Sequence, residues 1–538
     1  MLNLRRRCCA IFIFCILITS ILTACQTEQK VSRNDEEALK EIVVASSTDV
    51  EIDKLDAISS KGLMQAYPLI YDSLVEYGEK GEIVPKLAET WDISADGRTY
   101  TFYLRKGVKF SDGTPFNSEA VKFSVQRWAN KPEYSWLNVA KNIEDVEIID
   151  DYTIKMTFNS RYYLTLTEFT YPRPFRIISP SAVEPVGDPN GKFIKAIGTG
   201  PWKVEKYIKN DKTIFTINHY YWGEKPKIDR LIIKVIPDPQ TRVFALQNEE
   251  IDIAGGQMGS IPIESLDIIQ KSNRLKVLSN PGTTSYLLMF NNDNELFKDV
   301  RVRKAINYAI DKENIAVNLF NNIGSKAQGL FQPTVPYVTK QNNKGYEFNP
   351  QKAIELLKQS GWEDSDGDNV LDKDGKPFKI SLVLQVEEFP EWKSICEVIQ
   401  SDLAKIGIDV DLKLLESAAY YDSIWKKRDY DLVIYRTYSD GWNPYSFLIS
   451  LFYSDDGNSA VAYGDEKLNK LIDQVLTVSN EKDRQQVYDK IFKFMYDEAV
   501  CVPIYYCDEI FVINNNISGF EFGSTTYLPV IWNNLDLK

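Results

Sequence analysis

Apolar and polar positions divide this chain unevenly. Arg5, Arg6 and Arg7 are followed by a run from Cys8 to Leu22 that carries no charge. The run is shorter than the about 20 apolar residues a bilayer span requires, and it ends in Leu22-Thr23-Ala24-Cys25. A basic start, a short apolar run and small residues before a cut describe a secretory signal over residues 1–24. The polar stretch from Gln26 to Glu37 then predicts a solvated tether, placed at 25–40. No later apolar run is long enough to cross a membrane.

Beyond the tether, strand and helix periods alternate, which predicts an α/β fold. Tyr100, Phe102 and Leu104 recur at period two after the turn pair Asp96-Gly97. A second turn at Asp112-Gly113-Thr114-Pro115 precedes Asn117, a helix cap, with Val121, Ser124 and Trp128 on one stripe. Trp392, Ile395, Cys396, Ile399, Leu403 and Ile406 follow three- and four-residue spacing, the buried face of a helix stopped at Gly407. Ile408, Val410, Leu412 and Leu414 alternate with polar residues as a half-buried strand, and another strand covers Leu432–Tyr435. Such winding places ligands beyond the C-terminal ends of strands. About 500 mature residues are too many for one core and predict two or three domains.

Charge narrows the partners. The chain carries 76 acidic against 63 basic side chains, net −13. Loss of the three leader arginines takes this to about −16. Nucleic acid and acidic lipid heads demand the opposite sign. Cys396, Cys501 and Cys507 remain after the leader and Cys25 are set aside, with no C-x-x-C pair among them. In one extended strand Cys501 and Cys507 lie roughly 20 Å apart, too far for a disulfide. All three read as buried thiols.

Catalytic chemistry is sparse. The single histidine, His219, lies where a strand runs into a turn in Thr216-Ile-Asn-His-Tyr-Tyr-Trp222 and reads as structural. Its solitude removes the usual Ser-His-Asp and Cys-His arrangements. No phosphate-loop or H-E-x-x-H motif is present, and Gly198-Thr-Gly200 leads into Pro201 rather than a helix. Asp364, Asp366, Asp368 and Asp372 resemble the start of a calcium loop. Asn369 stands where the turn glycine belongs and Gly375 where the bidentate Glu belongs, so the segment reads as a solvated turn. No spacing singles out a carboxylate pair for hydrolysis.

Longer segments carry a resemblance. Leu87-Ala-Glu-Thr-Trp-Asp-Ile-Ser-Ala-Asp-Gly97, Leu104-Arg-Lys-Gly-Val-Lys-Phe-Ser-Asp-Gly-Thr-Pro-Phe116, Gly198-Thr-Gly-Pro-Trp202, Tyr221-Trp-Gly-Glu-Lys-Pro226 and Val300-Arg-Val-Arg-Lys-Ala-Ile-Asn-Tyr-Ala-Ile310 resemble the family 5 solute-binding proteins of ABC importers. The resemblance covers nearly the whole mature chain. It implies an α/β, two-lobed periplasmic-binding-protein-like fold. One lobe spans 41–285 plus 508–538, with an extra subdomain near 80–195, and the other spans 286–507. It also implies a monomer that catalyses nothing, needs no cofactor, closes on its ligand by hinge motion and delivers it to permease and ATPase subunits. Cys25 resembles the lipobox cysteine of bacterial lipoproteins. That implies a thiol-linked lipid anchor holding the domain outside the cytoplasm at the membrane face.

Tyr171-Pro-Arg173-Pro-Phe-Arg176 is similar to the nickel-binding branch of that family, which implies that Arg173 meets the carboxylates of a metal chelate. Met64, Trp136, Tyr438, Trp442 and Thr526 match cleft-lining positions of the same branch. Each of the aromatic residues also suits ordinary core. A guanidinium grips carboxylate bidentately and keeps its charge. No histidine falls near Ser454–Tyr463, where the branch supplies an imidazole. The metal is therefore expected already chelated, with no ligand atom from the protein. Asp440 instead matches the aspartate that meets a peptide's amino group in peptide-binding members. A nickel chelate and a di- or oligopeptide both remain open, and a surface hydrolase is the reading from another class.

Overall fold

The computed structural model describes residues 39–56, 59, 62–437, 442–454 and 460–538. The signal, Cys25 and nearly all of the tether lie outside the described residues, as do Tyr438 and Asp440.

One mixed sheet runs through the molecule. Its strands are β1 (Glu41–Ser46), β2 (Trp202–Ile208), β3 (Lys212–Ile217), β4 (Arg230–Val235), β5 (Ile253–Gly255) and β6 (Leu275–Phe290). They continue with β7 (Lys379–Leu384), β8 (Asp409–Leu414), β9 (Leu432–Arg436) and β10 (Cys501–Asn514). The order across the sheet is β2-β3-β4-β1-β5-β10-β6-β9-β7-β8, with Ser325–Lys326 pairing β10 off that path. β1 runs parallel to β4 and β5, and β7 parallel to β8 and β9. The two halves of the sheet are joined through β6 and β10, which are 16 and 14 residues long.

These two strands change register midway. Pro281 pairs with Asp508 and Ser285 with Tyr506, so Gly282, Thr283 and Thr284 oppose Cys507 alone. Extra residues on one strand bend it and sharpen its twist. Proline has no N–H for the ladder, which suits Pro281 to the edge of this break.

The helix read from three- and four-residue spacing runs Trp392–Ala404, with Trp392, Ile395, Cys396, Ile399 and Leu403 buried. Each such side chain removed from water contributes roughly 1.5–3 kcal/mol. Ile406 falls in the following turn rather than in the helix. There the N–H of Gly407 bonds Ala404 and that of Ile408 bonds Leu403. Gly407 takes φ +82°, which a side chain would strain.

A separate four-stranded antiparallel sheet pairs Ala88–Ile93, Thr99–Leu104, Thr153–Phe158 and Ile143–Asp150 in that order. Tyr100, Phe102 and Leu104 are buried on one of its faces, as period two predicts. The helix Ser118–Trp128 packs there, its first turn capped by the Asn117 side chain accepting from the Ala120 N–H at 3.2 Å. Among the described residues no helix is long and apolar enough to cross a membrane. Cys396, Cys501 and Cys507 are free thiols, the first two buried and Cys507 half-buried.

Candidate ligand-binding cleft

Two arginines three residues apart have different surroundings. Arg176 is buried and donates to Glu76 at 2.7 Å, to the Ser73 hydroxyl at 3.1 Å and to the Thr170 carbonyl at 3.3 Å. Its two terminal nitrogens are occupied in holding the chain together. Arg173 is half-buried and hydrogen-bonds the Tyr67 hydroxyl. That hydroxyl also donates to the carbonyls of Lys54 and Asp56, each at 3.1 Å. Burial raises the Tyr67 pKa while the neighbouring Arg173 opposes the rise, so Tyr67 stays a neutral phenol fixing the guanidinium.

Aromatic rings extend from this point. Tyr171 meets Trp136 edge-on at 6.1 Å and Tyr527 at 6.5 Å. Trp136 is 61% exposed, unusual for an indole. Tyr527 follows Thr526 at the tip of a hairpin made by Phe522–Thr525 and Leu528–Val530. Thr526 is tied to the Met64–Ala66 turn, because the Gln65 Nε2 donates to its carbonyl at 3.1 Å. Trp442 reaches the same hairpin, its indole N–H donating to the Ser524 carbonyl at 2.7 Å. Its ring lies 6.5 Å from that of Tyr77 and covers Gly81, where a Cβ would fall 2.3 Å from the indole. Met64, Trp136, Arg173, Trp442 and Thr526 are thus joined through neighbours around one hairpin. Tyr438 and Asp440 lie outside the described residues.

Thr526 also lines a cavity of about 130 Å³ beside the break in β6 and β10. Its wall includes Tyr286, Glu391, Arg436, Cys507 and Glu509, of which sequence reading singled out Cys507 alone, as a buried thiol. The Tyr286 hydroxyl donates to Glu391. Arg436 stacks over Phe389 at 5.2 Å. Burial works against its charge, but Tyr421, Tyr435, Tyr527 and Glu388 together hold its pKa above the usual value. Burial raises the Glu391 and Cys507 pKa values and pushes Glu509 up to about 7. Arg436 was legible in one respect, since it ends β9 at the carboxyl edge where such folds bind ligands. Asp508-Glu509 was the other signal, two acids interrupting an apolar strand.

His219 sits exposed in the turn after β3, away from any core. The carboxylates of Asp364, Asp366 and Asp372 come within 4.8 Å of one another. Asp364 accepts from the N–H groups of Gly367 and Asn369, and Asp372 from Ser365, which is how a solvated turn ties itself together.

The family model of bacterial extracellular solute-binding proteins, family 5, matches residues 82–459. The chain is 34% identical over 474 residues to the nickel-binding periplasmic protein of Escherichia coli (strain K12), covering 87% of this chain and 88% of that one. It is 26% identical over 478 residues to the dipeptide-binding protein of the same organism, covering 84% and 86%. The structure of NikA from Brucella suis in complex with Fe(III)-EDTA superposes with a TM-score of 0.85 at 31% identity, covering 93% of this chain and all of that one. The α/β architecture is accordingly that of two-lobed periplasmic binding proteins. The chain belongs to the bacterial extracellular solute-binding proteins of family 5.

Proposed function

We propose that this protein captures nickel already wrapped in a small carboxylate-bearing chelator and delivers it to the permease and ATPase of an ABC importer. It acts as a monomeric binder, without cofactor or catalysis. Residues 1–24 are removed on export, and a lipid on Cys25 holds the domain outside the cytoplasm through the 25–40 tether. One lobe comprises 41–285 and 508–538, with the subdomain near 80–195 inside it; the other comprises 286–507. The register break of β6 and β10 supports that division, since it falls at Pro281–Ser285 and Tyr506–Asp508.

The observation that carries the ligand reading is Arg173. It is half-buried, fixed by a neutral phenol and two residues beyond Tyr171, whose ring meets those of Trp136 and Tyr527. Aromatic walls exclude water and strengthen a charge-assisted grip on carboxylate. The relative that binds nickel and the NikA structure holding Fe(III)-EDTA support a chelated metal as cargo. The exposed His219 offers no imidazole to this site, and bare Ni²⁺ favours such nitrogen donors. The metal therefore comes with its own ligands.

A short peptide is the second reading, favoured by the dipeptide-binding relative and by the carboxylates of the cavity. Thermal stability separates the two when followed with Ni²⁺ alone, Ni²⁺ with excess histidine, and a mixture of di- and tripeptides. A ligand at 100 times its Kd adds roughly 2.7 kcal/mol. Stabilisation by peptides and none by Ni²⁺–histidine would overturn the nickel reading.

A further inference from the structure

Trp442 is mounted on one part of the chain and seated on another. It stands two residues before the helix Pro444–Leu451, whose first turn is capped by the Asn443 side chain accepting from the Ser446 N–H at 3.2 Å. Pro444, Tyr445, Phe447, Leu448 and Leu451 of that helix are buried, with the Phe447 ring edge-on to Phe331 at 5.7 Å. The base of the indole is thereby held within 286–507. The indole itself meets groups from outside that range. Its N–H donates to the Ser524 carbonyl at 2.7 Å. Its ring lies 6.5 Å from that of Tyr77, in a hairpin that pairs Val75–Tyr77 with Ile83–Pro85. In the turn of that hairpin Gly81 takes φ +76°, and its N–H donates to the Gly78 carbonyl at 3.1 Å. A Cβ at Gly81 would lie 2.5 Å from Cδ2 and 3.0 Å from Cγ of the indole, so the ring fills the space a side chain would take. One turn on, Tyr445 meets Tyr163 edge-on at 6.4 Å, a second contact from the same helix to the part of the chain before 286.

We infer that Trp442 is a latch between the lobes, its indole seated on Gly81 and bonded to the Ser524 carbonyl when they close. It sets how long a ligand is held rather than which ligand is chosen. This rests on the two-lobe capture reading above and gives Trp442 a role other than the cleft wall its resemblance implies. The two roles differ in what they act on. A wall residue acts through ligand atoms, so its loss lowers affinity and leaves the filled protein as compact as before. A latch acts between protein groups and favours the closed state whatever fills it. Its loss leaves the filled protein partly open. Gly81 is the other half of the device, because a side chain there displaces the indole without removing it.

Small-angle X-ray scattering and stopped-flow dissociation test this with two probes, Ni²⁺ with two equivalents of histidine and trialanine. The unaltered protein is expected to contract when saturated with at least one of them. Trp442→Ala and Gly81→Ala, saturated with the same probe, are expected to keep a larger radius of gyration and to release it about tenfold faster, the equivalent of about 1.4 kcal/mol. Gly81→Ala is expected to change neither reading further in a Trp442→Ala background, because its Cβ then meets no ring. The positive φ strains alanine in both backgrounds, and that effect is read separately as the urea midpoint. Trp442→Phe keeps a ring without the N–H and is expected to fall between the two, which serves if the alanine variant does not fold. Variants that bind more weakly yet contract fully at saturation make Trp442 a wall of the cleft and overturn the latch, as do additive effects of the two substitutions. Binding without contraction in the unaltered protein overturns the latch and lobe closure while leaving solute capture standing. Binding of neither probe overturns the capture reading and this one with it.

Discussion

The hydroxyls of Tyr163 and Tyr488 meet at 3.0 Å, and the Arg484 guanidinium lies 3.9 Å from the centre of the Tyr163 ring. Tyr163 follows the four-stranded sheet, whereas Tyr488 and Arg484 belong to the helix Glu481–Asp497 that leads into β10. The contact fastens parts of the chain 325 residues apart. Tyr163→Phe is expected to speed ligand release about fivefold, the worth of about 1 kcal/mol for one hydrogen bond. Tyr163→Phe with Tyr488→Phe should cost less than the sum of the two, because no hydroxyl is then orphaned. Stopped-flow dissociation rates check both. Equal rates in the unaltered protein and in Tyr163→Phe would show that this contact does not slow ligand release.

Arg173 and Arg176 predict opposite phenotypes. Arg176→Ala leaves Glu76 without its ion-pair partner and is expected to cost roughly 3–5 kcal/mol of stability, seen as a lowered urea midpoint. Arg173→Ala should leave the midpoint of the unliganded protein near its starting value and abolish the stabilisation given by Ni²⁺–histidine. A protein that keeps that stabilisation without Arg173 has its carboxylate grip elsewhere.

Trp136 is expected to matter for ligand and little for folding. An exposed side chain away from special backbone changes stability by about 0.5 kcal/mol or less. Trp136→Ala should therefore unfold at nearly the same denaturant concentration yet bind the ligand at least tenfold more weakly by titration. A large loss of stability without loss of binding would make the indole structural.

Stability should fall as pH rises from about 4.5 to about 7. Glu168 accepts from the N–H groups of Asn138 and Val139 at 3.1 and 2.8 Å, but burial raises its pKa from 4.5 to about 7. The folded protein holds that proton more tightly than the unfolded chain does. Its contribution is full below pH 4.5 and is lost as pH passes through about 7, on the order of 3 kcal/mol. Glu509 adds to the same slope. Urea unfolding at pH 5 and pH 8 measures it, and Glu168→Gln should flatten the difference. An identical slope in that variant would exonerate Glu168.

Local pattern told most about elements whose partners are close in sequence. The helix Trp392–Ala404, the cap at Asn117 and the strand Thr99–Leu104 follow from spacing, because each burial face is written within a dozen residues. Arg173, Met64, Trp136, Trp442 and Thr526 were nameable through resemblance, yet not their connections. Gln65 meets Thr526 across 461 residues of chain, and no local period encodes such a contact. Gly81 escaped notice for a related reason. The room it gives an indole is a property of the folded surroundings, visible once Trp442 lies over it.

β6 and β10 are bonded to each other on both sides of the break, so the halves of the sheet are joined by a ribbon rather than at a point. A ribbon flexes about the line across its width and resists sliding within its own plane. The bulged residues 282–284 mark where that line falls. Under the proposed division into two lobes, bending there would re-aim a few backbone dihedrals and leave the packed helices on either side undisturbed. Such a bend would let a solute-binding protein load and unload without passing through a partly unfolded form, a durability suited to a family that works outside the cytoplasm.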